Sequence, residues 1–262
     1  MKQPLHFRQL GGAHLPPLLL IHGDLANGRH AWKYQLESLS DAHRLIVPDR
    51  RGYGNSPEAP RPYTVASEAD DMADLADMLG LEAFHLVGHS YGGLIAIELA
   101  GRMPERILSL HLIEPPYFDL LADDPQIRSV CMRFRRIFEN SASLAAEQIA
   151  EAFFGALLDE AALQHMKSLP VWTMLAAEGK RLVHTQFPGD YPSGALQLLE
   201  HYTGIIQIYT GGRSHPVLRR LAAVLSQRIP ASRLIDIPDA YHDVQRVHQS
   251  FDPALLAVTR GE

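Results

Sequence analysis

Val87-Gly88-His89-Ser90-Tyr91-Gly92-Gly93 is the stretch that decides how this chain reads. An apolar run, Phe84-His85-Leu86-Val87, leads into it, and a second, Leu94-Ile95-Ala96-Ile97-Glu98-Leu99-Ala100, leads out. The first has the length of a buried strand. The second has the length and the residues of a helix. Between them Gly88 to Gly92 spells G-x-S-x-G, the pattern of a serine lifted on a strained strand-to-helix turn. A side chain at Gly88 or Gly92 would collide with the neighbouring strand or helix as the chain folds back. Alone, the five-residue pattern also arises by chance in glycine-rich loops. The strand before it and the helix after it give it meaning.

Outward from this turn the chain alternates short apolar runs with helical patterns. Leu5 to Leu10 alternates weakly, and Pro17 to Ile21 is a continuous apolar run, as expected of a parallel strand covered on both faces. Trp32 to Leu39 reads as a helix with Trp32, Gln35, Leu36 and Leu39 on one side. His43 to Pro48 is a strand, and Val65 to Leu79 is a helix with acidic residues on its outer face, ended by Gly80. Ile107 to Ile113 is the next strand, ending at Glu114-Pro115-Pro116. The rhythm then breaks. Residues 117–200 read as amphipathic helices, among them Ile127–Glu139, Leu144–Leu158 and Glu160–Leu169. It returns with strands at Ile205–Tyr209 and Arg233–Ile237, separated by a helix over His215–Arg228.

Composition narrows the function classes. With 262 residues the chain is long enough for a large core, and 46% hydrophobic and 21% charged residues are ordinary for a globular protein. The net charge of −6 is spread along the chain, which speaks against a nucleic-acid partner. A single cysteine, Cys131, leaves no internal disulfide and suits a reducing compartment. No apolar leader or membrane-length run is visible, so the expected setting is cytoplasmic, with no membrane partner. The 14 histidines show no metal-ligand spacing, and no metal or other cofactor is expected.

Three motifs together carry a resemblance to the α/β-hydrolase superfamily, in particular its lid-bearing esterase, lactonase and C–C hydrolase branch. They are Leu18-Leu19-Leu20-Ile21-His22-Gly23-Asp24, then Val47-Pro48-Asp49-Arg50-Arg51-Gly52-Tyr53-Gly54-Asn55-Ser56, then the serine turn. The resemblance implies an α/β fold: a mostly parallel central sheet covered by helices on both faces. It implies a core of residues 1–116 and 201–262, with residues 117–200 forming a helical lid inserted after the sixth core strand. A serine at position 90 sets the chain apart from dehalogenase and epoxide-hydrolase branches, which use an aspartate there.

The same resemblance implies the site. Serine needs a base within reach, and the base needs an acid to fix its tautomer. Ser90 is the candidate nucleophile and His242, after the last strand, the candidate base. The backbone N–H groups of Asp24 and Tyr91 are candidates for the oxyanion hole. The side chain of Asp24 is expected to turn away, toward the amides of Ala26 to Gly28 or toward Arg29. Asp49 with Arg50 or Arg51 is expected to hold the next loop. The acid departs from the common pattern. Thr210-Gly211-Gly212-Arg213-Ser214-His215-Pro216 holds no carboxylate, and Ser214 stands about where an aspartate would be. Glu114 is the candidate replacement, with a Ser–His dyad, Asp236 or Asp239 as alternatives. The chain then reads as a serine hydrolase of a small ester, lactone, thioester or C–C bond. The competing reading is a non-hydrolytic member, a lyase, cyclase or ligand binder, with a degenerate triad.

Overall fold

The protein is described here from a computed structural model, covering residues 3–59, 63–158, 160–182, 189–191, 193–199 and 202–260. Seven strands form one sheet: β1 (Phe7–Leu10), β2 (Pro17–Ile21), β3 (Arg44–Pro48), β4 (Phe84–His89), β5 (Ile107–Ile113), β6 (Ile205–Gly211) and β7 (Ser232–Ile237). Their spatial order is β1-β3-β2-β4-β5-β6-β7. Only β1 runs antiparallel, against β3, and the other neighbours are parallel. The helices are α1 (Gly28–Ala31), α2 (Lys33–Ser38), α3 (Val65–Met78), α4 (Tyr91–Arg102), α5 (Pro125–Asn140), α6 (Ala146–Gly155), α7 (Glu160–Ser168), α8 (Trp172–Ala177), α9 (Ser193–Leu199), α10 (Pro216–Arg228) and α11 (His248–Thr259).

The two-residue period of a strand divides the core cleanly. Leu19, Ile21, Leu86, Leu110, Leu112, Ile206 and Ile208 face one side, against α3, α4 and α10. Leu18, Leu20, Val87, Ile113 and Tyr209 face the other, against Trp32 and the Phe251 and Leu255 face of α11. The sheet is therefore covered on both faces, as its continuous apolar strands require. The expected helix over 32–39 forms as α2, and the short α1 precedes it, the two separated at Trp32 by a φ of −111° and ψ of 24°. Trp32, Gln35 and Leu39 are still buried together.

The helical segment corrects one expectation. It follows β5, the fifth strand in chain order, and not a sixth. Its aromatic residues pack on one another: Phe118 on Phe134, Phe134 on Phe153, Phe153 on Phe154 and Phe154 on Trp172. It docks where the parallel strands end. Arg181 Nη1 donates to the carbonyls of Gly52 (3.3 Å) and Gly54 (3.0 Å), and Asp190 accepts from the N–H of Val65 at the start of α3 (2.6 Å). Gly101 on α4 lies so close to α9 that a Cβ there would fall 2.5 Å from that of Ala195.

Histidines stripe the α11 face of the sheet. His85 Nδ1 and His111 Nε2 each lie 2.7 Å from Ser109 Oγ. Burial, with the neighbouring His43, lowers His85 to about 4; burial, with His85, lowers His111 to about 3. Burial and Arg50 lower His22 to about 3. These imidazoles are neutral when folded and titrate near 6.5 when unfolded, so the unfolded chain binds more protons between those values. Each then costs about 1.4 kcal/mol of stability per pH unit as pH falls through that window. His242, Glu178 and Asp252 are shifted upward and work in the opposite sense. The urea midpoint should therefore fall steeply as pH drops from 6.5 to 4.5; a midpoint constant across that range would contradict the neutral-histidine stripe.

Candidate active site

Every candidate residue sits at the C-terminal end of a parallel strand, the edge where open α/β sheets place their ligands. Ser90 follows β4 with φ 52° and ψ −124°, and its own N–H donates to the Ile113 carbonyl of β5 (2.8 Å). The flanking glycines meet the expected steric demand. A Cβ on Gly88 would fall 2.4 Å from the Gly92 carbonyl oxygen in α4, and one on Gly92 would fall 2.5 Å from that of Ile21 in β2. Among the described residues three non-glycine residues have positive φ: Leu25 (54°), Ser90 (52°) and Glu114 (41°). All three follow strand ends, after β2, β4 and β5. Such strain persists only where the surroundings hold it, and it points to a functional edge.

The left-handed turn at Glu114 brings its carboxylate to the end of β6. Oε1 accepts from Thr210 Oγ1 (2.8 Å) and from the N–H of Gly211 (3.0 Å). Oε2 accepts from Ser214 Oγ (2.6 Å) and from His242 Nδ1 (2.7 Å). Glu114 is 1% exposed. Burial alone would raise its pKa. The bonds from His242, Ser214 and Gly211 outweigh burial and hold it below the usual carboxylate range. For His242 burial alone would lower the pKa, and the bond and charge of Glu114 turn the net shift upward. Its side chain is 31% exposed. The other candidate acids stand elsewhere: Asp236 pairs with Arg219 at 3.6 Å, and Asp239 is exposed.

The β2 loop is built by the motif after β3. His22 is 0% exposed and accepts the Arg50 N–H at Nε2 (2.9 Å), so its proton lies on Nδ1, which donates to the Gly23 carbonyl (2.7 Å). In a trans peptide the carbonyl and the following N–H point oppositely. Holding Gly23 O therefore aims the N–H of Asp24 the other way. A Cβ on Gly23 would fall 2.9 Å from Ser90 Cβ, which sets this peptide beside the serine. Tyr91 opens α4, where N–H groups carry the positive end of the helix dipole.

Asp24 does turn its carboxylate away, but to partners other than those expected. Oδ1 accepts from Arg50 Nη1 (2.9 Å) and Tyr53 OH (3.0 Å). Arg50 is fully buried and also forks onto Glu68 with two bonds of 2.7 Å. Its guanidinium lies 4.7 Å from the Tyr91 ring centre and 5.0 Å from that of Tyr53. The expected pairing of Asp49 with an adjacent arginine does not form. Asp49 accepts from the N–H groups of Gly28 (2.9 Å) and Asn55 (3.0 Å), and Arg51 pairs with Asp71. The carboxylates that take the arginines, Glu68 and Asp71, are buried, against the expected acidic outer face of α3. Their spacing held the signal, since position 68 shares the helical face of Val65, Ala69, Met72 and Leu75. The sequence reading also missed Thr210 and Ser214 as donors to the acid.

A model of the alpha/beta hydrolase fold family matches residues 16–249. The dihydrolipoyllysine-residue acetyltransferase component of the acetoin cleaving system of Cupriavidus necator is 40% identical over 114 residues, 42% of this chain and 29% of that protein. Epoxide hydrolase 4 of Mus musculus is 33% identical over 114 residues, 43% of this chain and 32% of that one. This chain thus covers less than half of either relative's length. A thermophilic esterase from Thermogutta terrifontis has a structure that superposes over 97% of this chain and 94% of its own, with a TM-score of 0.77 and 28% identity.

Removing the guanidinium that Asp24 and Glu68 share would leave two carboxylates buried beside each other. Arg50→Met should therefore destabilise the fold by about 3–5 kcal/mol in urea unfolding; a loss below about 1 kcal/mol would contradict the buried cluster.

Proposed function

The chain belongs to the alpha/beta hydrolase fold family, and from that membership and the strand-end geometry we propose that it is a serine hydrolase of small ester-type substrates: esters, lactones, thioesters or activated C–C bonds. The observation that carries the proposal is the 2.7 Å bond from His242 Nδ1 to the buried Glu114 carboxylate. With Nδ1–H fixed there, Nε2 is the basic nitrogen. It takes the proton of Ser90 as Oγ attacks the carbonyl carbon, and Glu114 stabilises the imidazolium that forms. The N–H groups of Tyr91 and Asp24 receive the oxyanion, each worth a few kcal/mol of barrier, about 3–4 in comparable sites. His242 then protonates the leaving group, and water activated by the same base releases the acyl group from Ser90. Residues 117–200 act as the lid over this edge, a role supported by the contacts of Arg181 and Asp190 with the core. The Glu114 contact also favours hydrolysis over the non-hydrolytic alternative, whose motive was a missing acid.

Wild type should hydrolyse p-nitrophenyl esters, with a chain-length profile from acetate to decanoate that sizes the pocket. Ser90→Ala should abolish turnover and leave the melting temperature in place. Retained turnover in that variant would end the assignment of the nucleophile. Glu114→Gln should lower kcat by roughly 10³- to 10⁴-fold. The base must be neutral to act, so kcat/KM should rise with pH through the pKa of His242, which Glu114 holds above 6.5. Without the carboxylate charge only Asp243 opposes burial, and the limb should move to lower pH. An unmoved limb with unchanged kcat would take the acid role from Glu114.

A further inference from the structure

The residue between Gly88 and Ser90 has a task of its own. His89 is 6% exposed, and its ring centre lies 4.8 Å from that of His242. Its Nε2 lies 3.2 Å from the carbonyl oxygen of His242. A carbonyl only accepts, so Nε2 carries the proton and donates. We propose that His89 is a positioning residue for His242: its Nε2–H holds the His242 carbonyl and thereby ties the loop that carries the base to the turn that carries the serine. The assignment of His242 as base rests on the function proposed above; the tie between the two loops does not.

Glu114 and His89 divide the work. Glu114 grips His242 by its side chain from the β5 side, and His89 grips it by its main chain from the β4 side. The same carbonyl also accepts the N–H of Val244 (3.0 Å), which closes the turn after the base. The groups that face His89 are His242, Glu114 and Asp243, whose Oδ1 lies 3.6 Å from Nε2. Asp243 is bound in turn by Arg246 (3.4 Å), and Arg246 reaches His30 Nε2 on α1. On the other side, a Cβ on Gly23 would fall 3.2 Å from His89 Nδ1, so the ring sits between the β2 loop and the base. Burial, with the charge of His242, lowers His89 to about 4, which keeps it a neutral donor across the range in which His242 titrates.

The test compares His89→Phe, which keeps a ring and removes the donor, with His89→Gln, whose amide N–H reaches the same place. The readout independent of turnover is the low-field proton on His242 Nδ1, bonded to Glu114, followed by NMR in protein with 15N-labelled histidine and identified by its loss in Glu114→Gln. With both variants shown folded by thermal melting, the resonance should broaden or vanish in His89→Phe and persist in His89→Gln. In p-nitrophenyl acetate hydrolysis, His89→Phe should lower kcat roughly 10- to 100-fold, as a small misplacement of a catalytic group does, with KM changed less than about threefold. His89→Gln should recover most of it. A resonance unchanged in His89→Phe, or lost equally in both variants, overturns the proposal. A resonance that follows His89 in a protein whose Ser90 takes no fluorophosphonate label would keep the tie and discard the serine-hydrolase reading.

Discussion

Four hydrogen bonds to one buried carboxylate hold the ends of three strands together. Glu114 follows β5; Thr210 and Gly211 end β6, Ser214 stands in the loop beyond it, and His242 follows β7. A carboxylate with 1% exposure cannot stay charged without such donors, and the buried Thr210 and Ser214 hydroxyls would lose their partner without the carboxylate. The arrangement therefore forms as a unit. Its entry requirement is the left-handed backbone at Glu114, a conformation that costs a non-glycine residue about 1–3 kcal/mol. The end of β6 and the loop beyond it hold no carboxylate of their own and supply hydroxyl and amide donors. Their lack of a carboxylate is the reason they can receive one from β5.

What the sequence could reveal follows from which properties are local. The sheet was legible because period-two burial and continuous apolar runs are properties of a few residues at a time, and the strands fall within a few residues of the expected ranges. The turn at Ser90 was legible because its glycines answer a steric demand that the pattern itself states. Side-chain direction at strand ends was not legible, since a single φ decides it. Nothing in Ile113-Glu114-Pro115 announces 41°, so Glu114 was a candidate through the family resemblance and the empty loop after β6, not through its own geometry. Glu68 and Asp71 are a different failure: the 3.6-residue period places both on the buried face of α3, and reading them as solvated followed from charge alone. Buried carboxylates demand buried cations, and Arg50 and Arg51 were already in view.

That pairing explains why the two motifs before the serine turn belong together. Leu25, at φ 54°, puts the β2 loop under strain, and a strained loop needs restraint from outside. Three consecutive contacts supply it from the turn after β3: Asp49 receives the Gly28 N–H, the Arg50 N–H binds His22, and the Arg50 guanidinium binds Asp24. The first fixes the far end of the loop, the second the Gly23 peptide, the third the direction of a carboxylate that would oppose an oxyanion if it faced inward. A buried ionic cluster is a poor device for stability, because desolvation consumes most of the attraction. It is a good device for direction, because Arg50 satisfies Asp24 and Glu68 only when both loops are in register. The direction of the Gly23–Asp24 peptide beside Ser90 is thus set from the turn after β3.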